Sequence, residues 1–312
     1  MARRYSLIVL IAGLGLFGLS NLALGSTGYD ALQQPINARV VSMNGAYVSH
    51  FGDPSALFWN PAGLAFMKQT MGELSYENHI LDVDGTEVSV ALPFWKGGAG
   101  FGLNFWDYGE FDQRDNQGNV IGRPTTASEF WLTGGYGLAL DNNTSLGLNL
   151  QLFVRDYANS KSTLLFWSFG WQRYFPEQQL RLGVTASHWG TNLSTYQDHP
   201  EALPKTLTAG ISKKLLYLPL RLYLDAQYSA SDDDFRGMLG GEFTITESEN
   251  LFLRLGLSTD RFDQQTHVVG ADFLAGGSFG FGFRYQFLEF DYGAQTFGGA
   301  GMVHAFTLKS KF

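Results

Sequence analysis

Ser145-Leu146-Gly147-Leu148-Asn149-Leu150-Gln151-Leu152-Phe153-Val154-Arg155 alternates residue by residue. In an extended chain Leu146, Leu148, Leu150, Leu152 and Val154 point one way. Ser145, Gly147, Asn149, Gln151 and Arg155 point the other. A period of two is the mark of a β-strand with one apolar and one polar face. The same pattern returns at Val88, Val90, Leu92 and Phe94, at Leu220, Leu222 and Leu224, at Leu251, Leu253, Leu255 and Leu257, and at Phe279, Phe281 and Phe283. Apolar faces repeated through so many strands call for an apolar solvent outside and a polar interior. The fold class predicted for residues 70–312 is therefore all-β, a transmembrane antiparallel β-barrel of about 14 strands.

Strands are predicted at 71–79, 86–95, 98–108, 127–140, 144–157, 162–175, 180–190, 204–213, 219–230, 235–246, 250–259, 265–274, 278–289 and 301–312. Each is close to the span a tilted strand needs, about 9–11 residues, or somewhat longer. Short connections (95–98, 141–143, 176–179, 247–249, 275–277) follow even-numbered strands. The longest (109–126, 191–203, 290–300) follow odd-numbered ones. Short turns at one end and long loops at the other are the pattern of bacterial outer-membrane barrels. Alternating Phe306, Leu308 and the terminal Phe312 read as the signal that barrel-assembly machinery recognises.

Composition agrees. The chain is 45% apolar with 38 glycines and 15% aromatic residues, and its mean hydropathy is −0.08 because inward polar residues offset outward apolar ones. Arg3 and Arg4, the apolar run Ile8–Leu19 and the small residues of Ala23-Leu24-Gly25 predict a signal peptide over 1–25, cleaved before Ser26. The expected location is the bacterial outer membrane, with its lipid as a partner. The absence of cysteine excludes a lipoprotein anchor, disulfides and thiolate metal sites. A formal charge of −8, more negative once Arg3 and Arg4 are removed, argues against a nucleic-acid partner. The histidines have no metal-ligand spacing, and His188, His267 and His304 read as outward, so neither metal nor cofactor is expected.

Residues 26–69 do not alternate. Pro61 lacks a backbone donor and Asn60-Pro61 favours a turn, so this stretch cannot be a membrane strand. It is expected to fold back as an N-terminal hatch that plugs the lumen. Asn37-Ala38-Arg39, Met43-Asn44-Gly45-Ala46-Tyr47-Val48, Asp53-Pro54-Ser55-Ala56 and Trp59-Asn60-Pro61-Ala62-Gly63-Leu64-Ala65 together resemble the N-terminal signature of the PorV/PorQ family, within the FadL-like outer-membrane proteins. Asn37 and Asn44 stand where that family commonly has glycine; Asn tolerates positive φ, so Asn44 can keep the turn. The resemblance implies a hatch built on Arg39, Gly45, Asp53, Asn60, Pro61, Ala62 and Gly63. For PorV and PorQ it implies service in type IX secretion, with secreted cargo proteins or secretion-system components as partners. For other FadL-like members it implies uptake of hydrophobic small molecules through the barrel wall.

Charged residues on inward positions, Arg155, Arg181, Arg221, Arg254, Arg284, Glu73 and Glu87, are expected to pair with one another or with the hatch and Asp53, pinning it. Arg39 is expected to meet Glu73 or Glu87. Phe153, Phe166 and Trp106 are apolar exceptions on the inner face that could line a small site. Gly276-Gly277-Ser278-Phe279-Gly280 matches a hydrolase elbow pattern, but it lies in a predicted hairpin and not between strand and helix. The reading preferred from sequence is a non-enzymatic component of protein secretion or surface attachment. A hydrophobic-molecule transporter is the first rival and a lipid-modifying enzyme the second.

Overall fold

The computed structural model describes residues 30–115, 117–157, 160–194, 203–231, 233–245, 250–262, 264 and 275–312. The predicted signal peptide, His267 and the predicted strand 265–274 lie outside the described residues.

Fourteen described strands form one closed antiparallel barrel. They are β1 (Met71–Asn78), β2 (Asp84–Phe94), β3 (Gly97–Phe111), β4 (Thr125–Ala139), β5 (Thr144–Tyr157), β6 (Ser160–Phe175), β7 (Leu180–Ser194), β8 (Thr206–Lys214), β9 (Leu220–Ser229), β10 (Asp234–Thr244), β11 (Leu251–Ser258), β12 (Gly277–Tyr285), β13 (Leu288–Thr296) and β14 (Met302–Lys311). Each strand pairs with its sequence neighbours, and β14 closes on β1 with Met71 opposite Lys311. Closure leaves no unpaired sheet edge, the condition for placing strands in hydrocarbon. No described helix is long and apolar enough to cross a membrane.

The opening stretch behaves as its period demands. Leu146, Leu148, Leu150 and Leu152 of β5 are exposed on the outer surface, while Ser145, Asn149, Gln151 and Phe153 are buried inside. Strands β3–β7 run 14–16 residues. The remaining strands run 8–11, so the wall is taller on one side.

Two strand predictions are corrected. The stretch 288–296, read as the end of one strand and the start of a long loop, is β13. It pairs with both β12 and β14. The boundary was hidden because Phe281, Phe283, Tyr285 and Phe287 keep alternating straight through a two-residue turn. That turn is made by Gln286, which takes φ 54° without being glycine. Secondly, β11 pairs directly with β12, and the long loop predicted at 290–300 shrinks to the short connection 297–301 between β13 and β14.

The N-terminal segment from residue 34 lies within the ring of strands. Its elements are short: the helix Ala38–Ser42, one turn at Ala56–Trp59 and the 3-10 helix Pro61–Phe66. Inward glycines of many strands touch its backbone. A Cβ on Gly98 (β3) would stand 2.1 Å from the Leu64 carbonyl oxygen, on Gly147 (β5) 2.1 Å from the Ala62 nitrogen, on Gly183 (β7) 2.2 Å from the Val48 oxygen, and on Gly293 (β13) 2.2 Å from the Ala38 oxygen. Contacts from opposite sides of a closed barrel place this backbone in the interior.

Candidate functional site inside the barrel

A buried segment with little regular structure needs partners for its backbone. The wall supplies them as side chains. Asp225 Oδ2 accepts from the Tyr47 and Val48 amides (2.7 and 2.8 Å). Gln172 Nε2 donates to the Val48 and His50 carbonyls (2.9 and 2.8 Å). Asn149 donates to Leu57 O (2.6 Å), Ser145 to Ala62 O (2.9 Å) and Ser278 to Ser42 O (3.0 Å). Ser278, the serine of the elbow pattern, is thus a buried donor to the segment.

The signature residues fix the segment's own turns. Asn60 caps the Pro61–Phe66 3-10 helix by accepting from Ala62 N–H (3.2 Å), and its Nδ2 donates to Val48 O (2.8 Å). Pro61 occupies the first helical position, where a missing donor costs nothing. Gly63 sits where a Cβ would come within 2.8 Å of Ala56 Cβ. Asn44 and Gly45 take φ 56° and 84°, completing a left-handed turn. Asn37 caps the Ala38–Ser42 helix by accepting from the Arg39 and Val40 amides (2.9 and 3.2 Å), a task glycine could not perform. Its amide donates to Glu73 (2.7 Å).

At the short-turn end, buried charges close into a ring. Arg39 meets Glu242 at 2.7 Å; Glu242 meets Arg254 at 2.7 Å; Arg254 meets Asp291 at 2.6 Å. Asp291 lies 3.7 Å from Lys309, Lys309 lies 2.7 Å from Asp53, and Asp53 lies 3.7 Å from Arg39. Signs alternate around the circuit. Two members belong to the segment and four to β10, β11, β13 and β14. Glu73 branches from Lys309 at 3.4 Å and accepts from Ser55 Oγ at 3.0 Å. Burial by itself would raise the Asp53 carboxyl; Lys309 first, then other neighbours including Arg39, outweigh it and hold Asp53 far below the ordinary carboxylate range. His50 is pushed well below the usual imidazole value, by burial first and by Arg39 second.

The charge expectations meet this geometry unevenly. Arg254 belongs to the ring, and Glu73 holds the segment. Arg39 pairs with Glu242, not with Glu73 or Glu87. Arg181 lays its guanidinium over the Phe51 ring at 3.9 Å instead of meeting an acid of the segment. Arg155 pairs with Glu129 (2.6 Å) and Arg284 with Glu289 (2.6 Å), in each case on the adjoining strand. Arg221 stands opposite Glu242 in the β9–β10 register. Glu87 accepts from Asn104 (3.0 Å). Lys309, the cation in contact with Asp53, Glu73 and Asp291, does not stand out in the sequence because it lies between Leu308 and Ser310 in the terminal stretch that reads as an assembly signal. Phe306, Leu308 and Phe312 are exposed on the outside, so Lys309 must face in.

Toward the long-loop end the interior changes character. Ile36 packs with Trp106, Trp131, Phe153, Leu164 and Phe166 in an apolar cluster. Beside it lies a cavity of 60 Å³, bounded by Ile36, Phe58 and Trp59 of the segment and by Glu87, Trp131 and His188 of the wall. His188 is buried, not outward as its place in the alternation suggested. The β6–β7 register shifts between Trp167 and Phe169, and His188 takes φ 58°. This bulge turns the following side chains over. Among the described residues no group of His, Asp or Glu is arranged to hold a metal.

No family model and no curated protein sequence matches the chain. Solved structures do. The toluene transporter TodX of Pseudomonas putida matches with a TM-score of 0.61 at 11% identity, over 88% of this chain and 97% of that one. The monoaromatic hydrocarbon channel CymD matches at 0.59 and 11%, over 89% and 97%. The toluene transporter TbuX of Ralstonia pickettii matches at 0.56 and 11%, over 88% and 98%. These likenesses concern the fold alone, and the PorV/PorQ part of the sequence resemblance finds no support among them. The chain thus shares with these solved structures the fold of a closed antiparallel β-barrel, here of fourteen described strands.

Proposed function

We propose that this chain is a passage for small, largely apolar molecules across a bacterial outer membrane, with residues 26–69 as its hatch and the charge ring as the latch. The observation that carries this reading is the division of the interior. A cavity with the faces of Phe58, Trp59 and Trp131 lies toward the long-loop end, and a hydrogen-bonded segment fills the lumen between it and the charge ring. The likeness to barrels named as toluene and monoaromatic hydrocarbon channels supports the same class of cargo. The secretion reading rests on the 37–65 signature alone, and the transporter reading takes its place. Orientation follows the barrel rule, with the short turns in the periplasm. The test is uptake of labelled toluene by cells of a lipopolysaccharide-bearing host lacking other hydrocarbon channels. Expression of the chain should raise the initial rate several-fold. An unchanged rate, with crosslinking recovering a secreted protein on the barrel, would return the secretion reading to first place.

A further inference from the structure

A second cavity, of 360 Å³, lies on the short-turn side of the charge ring. Arg39 and Asp53 of the ring form its inner wall, beside Phe51 and Phe66, whose rings stand 4.7 Å apart. It opens at the exposed Lys68 and Gln69, where the segment leaves the lumen for β1. Most charges around it are answered. Arg39 has Glu242 and Asp53, and Arg284 has Glu289. Lys68 and Lys311 are not: neither has an acid within ion-pair distance among the described residues. Lys311 instead feels the like charges of Arg284 and Lys309, and its acidic neighbour Glu289 is already bonded to Arg284. Behind Phe51 a third cation, Arg181, stacks on the ring without an acid of its own. The chain as a whole is acidic, at −8, so this positive mouth is a local arrangement and not a bulk property. Lipid headgroups do not supply the missing charge. Lys311 lies two residues beyond the buried Lys309 and shares the inner face of β14 with it, while Leu308 and Phe312 face out.

We infer that this cavity is a docking site for an acidic peptide segment, whose carboxylates answer Lys68 and Lys311 while its apolar groups lie against Phe51 and Phe66. Charge complementarity names the sign of the guest. Size names its class: 360 Å³ falls in the range of about 300–1,000 Å³ that organic ligands fill, far more than one inorganic anion needs. With the short turns in the periplasm, the segment belongs to a periplasmic protein, and once docked it sits directly against the latch. The test uses the full-length barrel in nonionic detergent and a fluorescent hexaglutamate peptide, read by anisotropy in about 150 mM salt, where exposed charges are screened beyond about 8 Å. The peptide should bind saturably. Lys68→Glu and Lys311→Gln should each weaken binding at least threefold. Lys96→Glu, in the exposed turn between β2 and β3 at the same end but off the cavity wall, should change it less than twofold. Lys68 lies outside the strands, so its variant decides the matter if Lys311→Gln fails to give a heat-modifiable barrel. No saturable binding, or an equal loss in Lys96→Glu, would overturn the inference. So would full displacement by equimolar citrate, which would give the site to a small acid, or by phosphatidylglycerol added to the micelles, which would give it to lipid. Failure here leaves the passage standing, and failure of toluene uptake leaves this site standing.

Discussion

Lys309→Met removes the cation at the meeting of Asp53, Glu73 and Asp291. The three carboxylates do not suffer equally. Asp291 keeps Arg254 at 2.6 Å, and Asp53 keeps Arg39 at 3.7 Å. Glu73 keeps the neutral donors Asn37 and Ser55 and the neighbouring Glu87 carboxyl, but no cation among the described residues within ion-pair distance. One buried charge is therefore stranded, and stranding one costs about 3–5 kcal/mol, with the lower figure apt where two neutral hydrogen bonds remain. Withdrawal of the segment would let water reach Glu73, so the cost falls on the filled state relative to the open one. At about 1.4 kcal/mol per tenfold, about 3 kcal/mol raises the open population on the order of a hundredfold. The chain has no cysteine, so Leu57→Cys, at a residue wholly buried in the segment, reports opening by its rate of reaction with a water-soluble maleimide. That rate should rise on the order of a hundredfold in Lys309→Met, and Glu73→Gln added to it should restore most of the protection. A rate within about threefold of the parent in an intact, heat-modifiable barrel would refute the latch, whichever end of the range applies.

The same labelling assay carries three further predictions. Acidification should open the segment in two windows. The folded state holds His50 neutral, so its contribution is complete above the ordinary imidazole value of 6.5 and fades below it; Asp53, held low, contributes above the ordinary carboxylate value of 3.8 and fades beneath that. His50→Gln should therefore flatten the profile between about pH 7 and 5 and leave the more acidic limb, and an unchanged profile would count against it. Gly147→Val should expose the segment, because a Cβ there meets the Ala62 nitrogen at 2.1 Å; Gly134→Val, at a position with nothing within 4 Å, should not. Asn60→Ala loses a cap and one of the two donors to the Val48 carbonyl, which keeps Gln172, an effect of about 1 kcal/mol that should appear as faster labelling with the barrel still closed.

How much of this was legible depends on how local the determinant is. Strand character is local: five leucines and valines at alternate positions of β5 suffice, and the spans 144–157 and 180–190 fall on β5 and within β7. Turn position is less local. Gln286 adopts φ 54° without being glycine, so nothing in composition separates Tyr285 from Leu288. The bulge at His188 is another case, since one extra residue in β7 reverses the faces that follow, and nothing between Ala186 and Trp189 advertises it. Signature residues with backbone tasks, Asn60, Pro61, Gly63 and Gly45, could be picked out because their chemistry is tied to their neighbours in sequence. The ring could not. Its members are separated by up to 270 residues between Arg39 and Lys309, and which arginine meets which acid depends on register around the whole barrel.

The glycines make the point most sharply. Read as composition, 38 glycines suggest tightly packed strands with bulky side chains outside. In the folded chain many lie on inward positions, where a Cβ would strike the backbone of the segment: Gly98, Gly147, Gly183 and Gly293 on four different strands. Inward alternation in this barrel therefore has two values. Where a polar or charged side chain stands, the wall bonds the segment; where glycine stands, the wall makes room for it. Neither value has meaning without the other chain segment, so an alternation of leucine with glycine and serine, as at Leu146-Gly147-Leu148 beside Ser145, specifies the membrane face by itself and the inner face only jointly with residues 37–65. That mutual dependence explains why the wall could be read strand by strand while its contents could not. It also explains why Gly147→Val is the sharper probe of the interior: it alters a wall residue whose nearest neighbours are backbone atoms of Pro61 and Ala62.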